Sequence, residues 1–337
     1  MSQDYLEKAI DENGCQVYQI EPKDGAEVVR FVVSTKETRA ICNDPFVAGV
    51  EYTEYLKSAC RQALSVLKKH GTLSLIEKET TVLHILRGGL NFGLREAISQ
   101  AYGWNNHSSA FISAQRMREP DAPDQWYISE HSYRKVYLPK ISSIVFGDVV
   151  ATGTSLEYAL KQILEQLAQQ GSEVRSFVFF TIGGSRSEEL LEEIDAFCRK
   201  YFKNYEGSVV IYFEGRFTVA SDTTRLSIKL TGTDLVRVDS LMAPEFVTSQ
   251  YENPAYPLER CTIYDAGSRA FYVQEYYEDV LDYWKQTLAL AKNGMKFKDF
   301  LWERMPEVSS EHFENASLET IASQQVQRIE KVLHSIE

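Results

Sequence analysis

Hydrophobic residues in the middle of the chain follow two alternating patterns, short apolar runs and a helical spacing. The runs predict strands at 81–86, 110–114, 144–146 and 174–182. The helical spacing predicts helices at 49–69, 92–102, 155–169 and 188–202. Alternating strands and helices are typical of a parallel sheet with helices on both faces. The pattern therefore predicts an α/β fold, doubly wound around a mainly parallel sheet.

This alternation divides the chain into three predicted regions. Residues 36–202 form the predicted α/β core, and residues 1–35 form an N-terminal extension. In the region 203–337, residues 208–248 are predicted to be β-rich and to include an alternating strand at 226–231. Two helices are predicted after it, at 273–294 and 317–336. Ser185 and Glu188 have the spacing of a capping box before the helix at 188–202.

Composition and charge favour a soluble enzyme. The chain has 337 residues, of which 44% are hydrophobic, enough for a sizeable core. A formal net charge of −12 argues against a nucleic-acid partner, although local groups can still bind a small anion. Apolar runs are too short to span a membrane. The five cysteines have no paired spacing, so we expect neither a zinc cage nor disulfides, and a cytoplasmic location.

The segment 143–155 joins an apolar strand to an acid and then to a turn rich in glycine and hydroxyl groups. Asp148, at the end of the strand, can accept hydrogen bonds from ribose hydroxyls. The turn offers N–H groups and hydroxyls to a phosphate, and it opens a helix whose N-terminus favours an anion. Its residues are Ala151, Thr152, Gly153, Thr154 and Ser155. The alternative is an ordinary corner in which Thr152 or Ser155 only caps the helix.

A second glycine turn, Arg87-Gly88-Gly89, follows the predicted strand 81–86. Without side chains, the two glycines would let the backbone approach an anion closely. Such a turn is common by itself. Its place one strand–helix unit before the segment 143–155 favours a shared ligand.

These two segments together resemble the type I phosphoribosyltransferases. The stretch 143–155 is similar to their motif for 5-phosphoribosyl pyrophosphate (PRPP), and Arg87-Gly88-Gly89 is similar to their pyrophosphate loop. One position departs from the pattern, because Gly147 stands where the family usually has the first of two acids. The resemblance implies that Arg87, Gly88, Gly89, Asp148 and the turn 151–155 bind PRPP.

The resemblance also implies the chemistry. A 5-phosphoribosyl group would pass from PRPP to a small nitrogenous acceptor, and pyrophosphate would leave. Mg²⁺ is the expected cofactor, bound with PRPP and held by Asp148 only indirectly, through water or PRPP. Asp148 would also hold the ribose hydroxyls as the positive charge develops. The resemblance leaves a homodimer open.

The polar segment 115–140 is predicted to be a long loop between strands. In the family, a loop at this place closes over the reaction centre, and Arg116 is the best candidate for a catalytic contact with pyrophosphate. Arg118, Arg134 and Lys135 are further cations in the same segment. The alternative is a solvated surface loop, because acidic residues neutralise much of its charge.

The acceptor is the part of the reaction that the sequence leaves open. In the family, variable terminal segments form a hood that selects the acceptor, and 1–35 and 203–337 are expected to supply it. Asp265 and Arg269 are conceivable contacts. Ala151 stands where members that act on purines often have an acid, which weakens a hypoxanthine or guanine assignment.

Two other functions would use the same pocket. A regulator could sense PRPP or a nucleotide without turnover, and the missing acid at Gly147 favours it. Against it, residues 1–75 carry 9 Lys+Arg and 11 Asp+Glu, which is not a basic DNA-binding extension. A phosphoribosyl hydrolase or phosphorylase that acts on a nucleotide-like metabolite would use the same pocket with another acceptor.

Overall fold

The computed structural model describes residues 4–21, 27–86, 88–119, 122–259 and 272–336. Its strands are β1 (Tyr5–Glu12), β2 (Cys15–Glu21), β3 (Val29–Ser34), β4 (Thr80–Leu86), β5 (Ser108–Ser113), β6 (Gln115–Glu119), β7 (Ala122–Glu130), β8 (Arg134–Lys135), β9 (Ile141–Val150), β10 (Glu173–Gly183), β11 (Gly207–Val219) and β12 (Leu235–Met242). Its α-helices are α1 (Lys36–Asn43), α2 (Gly49–Lys69), α3 (Leu94–Tyr102), α4 (Thr154–Gln170), α5 (Arg186–Tyr201), α6 (Pro244–Ser249), α7 (Val273–Lys292), α8 (Phe297–Arg304) and α9 (Leu318–Ile336).

One ten-stranded sheet forms the centre of the described structure. Its strand order is β1-β2-β3-β11-β10-β9-β4-β5-β8, and β12 pairs with β11. The six strands from β3 to β5 in this order are parallel to their neighbours, whereas the strands outside them pair antiparallel. The predicted mainly parallel α/β sheet is therefore confirmed.

The strand order reverses between β4 and β9. From β4 the chain passes through α3 to β5 in one direction, whereas from β9 it passes through α4, β10 and α5 to β11 in the other. Where the order reverses, two connections leave the sheet in opposite directions and open a crevice at the carboxyl ends of the strands. The two glycine turns follow the two neighbouring strands at this switch point, β4 and β9.

Strand β9 is longer than its apolar run predicts. It includes the buried hydroxyl residues Ser142 and Ser143, and the Ser176 hydroxyl of β10 donates to Ser143 Oγ at 3.0 Å. A buried hydroxyl with a partner is tolerated inside a sheet. Polar residues at the start of β9 therefore do not end the strand.

The segment predicted as a long loop is largely a β-hairpin. Strands β6 and β7 pair antiparallel, with Met117 opposite Tyr127, and β8 adds a short edge to β5. Aromatic and branched residues in 126–128 favour a strand although charged residues surround them. The prediction of an irregular loop is wrong.

Two other local predictions are also wrong, and several elements were missed. Residues 226–231 form no strand but an irregular segment, in which Leu230 N donates to Asp234 Oδ2 at 2.7 Å. The strands β1–β3 and the helix α8 were not predicted. Ser185 precedes α5 in helical geometry without capping it, and its hydroxyl bonds Glu189 instead.

The sheet extends beyond the predicted core on both sides. Strand β3 lies within the predicted extension 1–35, and β11 lies within 203–337, yet they are neighbours in the sheet. The boundaries 1–35, 36–202 and 203–337 remain predictions about domains. In the part of the chain that the structure describes, no helix combines the length and apolarity that a membrane crossing needs.

Candidate active site

The first glycine turn, after β4, packs against strand β9, and the second follows the carboxyl end of β9. These strands pair in parallel from Thr80 opposite Ser143 to Leu83 opposite Phe146. After β4, residues Gly88–Phe92 form a 3₁₀ turn. A Cβ atom on Gly89 would lie 3.2 Å from the carbonyl oxygen of Gly147, closer than most side-chain contacts. Glycine therefore lets the first turn pack on β9. Arg87, which precedes this turn, lies outside the described residues.

Gly147 is a glycine because Phe92 occupies the space beside it. A Cβ atom on Gly147 would lie 2.5 Å from Cγ of Phe92, whose ring is fully buried. An acidic side chain would require this ring to move. The departure from the two-acid pattern thus has a packing cause, which depends on a residue 55 positions earlier in the chain.

Asp148 lies at the crevice, still within β9. Its residue is partly exposed and pairs in the strand register with Thr181 of β10. The backbone N–H of Val149 donates to Asp148 Oδ1 at 2.9 Å. Successive side chains of a strand point to opposite faces, so Asp148 faces away from Phe92.

The turn 151–155 leads directly into α4. Gly153 occupies the N-cap position with φ 75°, a left-handed conformation that glycine adopts without strain. Because the N-cap residue has no side chain, it supplies no oxygen to the first turn of α4. Neither Thr152 nor Ser155 holds that position. The Thr152 and Thr154 hydroxyl oxygens are 3.3 Å apart.

An open cavity of about 930 Å³ adjoins this turn. It extends from Ala151 and Thr152 past the start of α5 to the ends of β11 and β12. Its remaining lining residues are Asp4, Ser185, Arg186, Arg216, Phe217, Thr218, Val219, Asp239, Ser240, Leu241 and Glu307. Most of them were missed from the sequence, because segments far apart in the chain supply them.

Arg216 enters the cavity beside a buried carboxylate. Its Nη1 atom lies 2.6 Å from Glu188 Oε1 and 2.8 Å from Asp4 Oδ2. Burial raises the pKa of Glu188, although Arg216 and Arg30 oppose this shift. A bulge in β11, where Glu214 has φ 63°, directs the following residues. The arginine is thus fixed in place by acids.

The cavity lining also includes two carboxylates, those of Asp239 and Glu307. Loss of solvent around Glu307 raises the pKa of its carboxyl, and the charge of Asp239 raises it further. Asp239 has φ 59°, and its carbonyl oxygen accepts from the Thr218 hydroxyl at 2.9 Å. The lining therefore offers hydrogen-bond acceptors to a ligand.

The hairpin that carries Arg116 lies close to α4. Arg116 belongs to β6, opposite Ile128 of β7, and its side chain is outside the described part. The guanidinium of Arg134 already makes a hydrogen bond, since its Nη1 atom donates to Gln162 Oε1 of α4 at 2.7 Å. Arg118 also has no described side chain, and Asp265 and Arg269 lie outside the described residues. The cation for pyrophosphate remains a prediction.

Comparison with known proteins gives solved structures only, since no protein-family model and no curated protein matches the chain. Hypoxanthine phosphoribosyltransferase from Trypanosoma cruzi, a mutant complexed with IMP, is 14% identical over 60% of this chain and 86% of that chain, with a TM-score of 0.24. Adenine phosphoribosyltransferase from Trypanosoma brucei, in complex with AMP, pyrophosphate and ribose-5-phosphate, is 14% identical over 60% and 91%, with a TM-score of 0.32. Similarities this distant do not indicate a function, so the function has to be argued from the geometry of the site.

Proposed function

We propose that this protein is a phosphoribosyltransferase that transfers the 5-phosphoribosyl group of PRPP to a nitrogenous acceptor and releases pyrophosphate. One observation carries the proposal: the turn that contains Gly88 and Gly89 packs against strand β9, inside the segment 143–155 that resembles the PRPP motif. Gly89 approaches Gly147, one residue from Asp148. A sequence resemblance in two separate segments would not by itself require them to meet.

The turn 151–155 would hold the 5′-phosphate of PRPP. Helix α4 has 17 residues and begins directly after Gly153, so its first N–H groups and the helix dipole favour an anion there. The hydroxyls of Thr152, Thr154 and Ser155 add donors. Asp148 would accept hydrogen bonds from the ribose hydroxyls, and Gly88 and Gly89 would let the backbone reach the pyrophosphate.

The residues at the crevice fit Mg²⁺ bound through the substrate. Asp148 is a single carboxylate, and the described residues contain no group of three or more metal-binding side chains. Mg²⁺ is commonly held by one or two carboxylates together with substrate phosphates and water. The ion would neutralise charge on the departing pyrophosphate, while Asp148 orients the ribose.

The cavity would receive the acceptor. It begins at Ala151 and Thr152, next to the proposed phosphate site, and reaches the carboxylates of Asp239 and Glu307. Carboxylate oxygens accept hydrogen bonds from the N–H groups of a nitrogenous ring. Segments from both ends of the chain line the cavity, as a hood would. A cytoplasmic location and a homodimer belong to the same proposal.

Isotope-labelled PRPP incubated with the protein, Mg²⁺ and a metabolite extract tests the proposal. A labelled phosphoribosyl adduct and free pyrophosphate are expected. Tight PRPP binding without turnover would instead favour the sensing function, and labelled ribose 5-phosphate or ribose 1,5-bisphosphate would favour a hydrolase or phosphorylase. Absence of both binding and turnover would overturn the whole assignment.

A further inference from the structure

Three oxygen atoms lie close to the position that a Cβ atom on Gly183, at the end of β10, would take. A Cβ atom on Gly183 would lie 2.7 Å from the carbonyl oxygen of Val150, 2.9 Å from Thr181 Oγ1 and 3.1 Å from Ser187 Oγ. Thr181 and Ser187 are fully buried. Within the described part of the chain, neither hydroxyl has a hydrogen-bond partner. We call these three atoms the Gly183 cradle.

Two fully buried hydroxyls without partners are unusual, since buried polar groups in folded proteins are nearly always satisfied. The cradle combines two possible donors with one carbonyl acceptor and has no carboxylate among its atoms. This neutral set does not suit a divalent ion, which binds through charged oxygen ligands. It suits a water molecule, which typically makes about three hydrogen bonds in a buried site.

We propose that the Gly183 cradle binds one buried water molecule that fixes the start of the turn 151–155. The water would donate to the Val150 carbonyl and bond both hydroxyls. Val150 is the last residue of β9, and its carbonyl also accepts from Gly184 N at 3.1 Å. The water would therefore join β9, β10 and the first turn of α5 at the point where the turn leaves the sheet.

Thr181 and Ser187 are then positioning residues. They do not reach the proposed substrates, but they set where Ala151 begins and how the N–H groups of the turn are aimed. The absence of a side chain on Gly183 keeps the cradle open, because a Cβ atom would crowd all three oxygens. The water site itself does not depend on PRPP; only the consequence for PRPP affinity rests on the proposed function.

A threonine series tests this role. Thr181→Val keeps the shape and removes the hydroxyl, whereas Thr181→Ser keeps the hydroxyl. Without any ligand, we expect amide hydrogen exchange in 151–155 to be about five-fold or more faster in Thr181→Val and close to the unmodified protein in Thr181→Ser. Thr287→Val is the control, since it deletes another fully buried hydroxyl, in α7, far along the chain from the turn.

A crystal structure and PRPP titrations complete the test. Ordered density within hydrogen-bond distance of all three oxygens is expected, and it should disappear in Thr181→Val. An anomalous signal after soaking in Tl⁺ would identify a monovalent cation and overturn the assignment to water. Unchanged exchange in Thr181→Val would overturn the positioning role. If exchange changes but no variant binds PRPP, the proposed function fails while the cradle stands.

Discussion

Gly147 and Asp148 are neighbours in β9 whose Cβ positions face opposite sides of the sheet, so the first affects packing and the second the proposed ligand contact. Gly147 lies against the ring of Phe92, and Asp148 faces the crevice. The proposed ribose contact therefore depends on one carboxylate. Hydrogen bonds to a charged group contribute about 1.5–3 kcal/mol.

Asp148→Asn should accordingly weaken PRPP binding about 10- to 100-fold in the presence of Mg²⁺. The amide keeps the size of the side chain but not its charge. Isothermal titration calorimetry measures the change, and Asp222→Asn, at an exposed turn, is the matched control. Equal PRPP affinities in the Asp148→Asn and Asp222→Asn variants would remove the ribose assignment.

Gly147→Asp tests the packing explanation for the missing acid. The new side chain would meet the Phe92 ring in a fully packed site, and overpacking costs typically about 1–3 kcal/mol. We expect the free energy of unfolding, measured in urea, to fall by at least this amount. In the double variant that also carries Phe92→Ala, the loss of unfolding free energy should be smaller than the sum of the two single losses, because the ring that clashes is gone. Strictly additive losses in the double variant would contradict a direct clash.

Glu214 should make the stability depend on pH near neutrality. Burial raises its pKa to about 7, although Thr38, Ser34 and Arg39 oppose the shift. The folded state then holds its proton more tightly than the unfolded state, so stability falls as pH rises from about 4.5 to about 7, by about 3 kcal/mol. Urea unfolding at several pH values should show this loss relative to Glu214→Gln. Parallel pH profiles of the two proteins would contradict it.

At the scale of elements, the central strands and helices followed from local pattern, whereas the hairpin β6–β7 did not. The helix predicted at 49–69 is α2 as observed, because its buried residues recur at helical spacing. In the hairpin, charged residues conceal the alternation, and pairing between the two strands satisfies the backbone. The capping box at Ser185 was wrong because Glu188 binds Arg216. Tertiary contacts override local signals at both places.

Arg116 tests whether this hairpin acts as a lid. If its guanidinium meets pyrophosphate only when charge develops, Arg116→Ala should lower kcat about 100-fold or more and change PRPP affinity by less than about five-fold. Steady-state kinetics and calorimetry separate the two effects. Arg225→Ala removes an exposed cation at a distant turn and serves as control. Equal losses in kcat and affinity would mean that Arg116 only binds the ground state.

At the scale of the whole molecule, the sequence marked the turn proposed to bind phosphate but not the residues of the cavity. Both glycine turns lie within one strand–helix rhythm, and each follows one of two neighbouring parallel strands, β4 and β9. The cavity combines Asp4, the bulged end of β11, Asp239 and Glu307, which only the complete fold brings together. No local pattern marks such residues, because each is an ordinary polar residue in its own segment.

Asp239→Asn tests whether this cavity selects the acceptor. Its carboxylate belongs to the cavity lining together with that of Glu307, and replacing it by an amide would set N–H donors against the proposed N–H groups of the acceptor. We expect KM for the acceptor identified by labelling to rise about ten-fold, because one hydrogen bond to a charged group is lost, while PRPP affinity stays unchanged. Asp222→Asn is again the control. A rise in KM for PRPP instead would move the acceptor out of this cavity and place PRPP against Asp239.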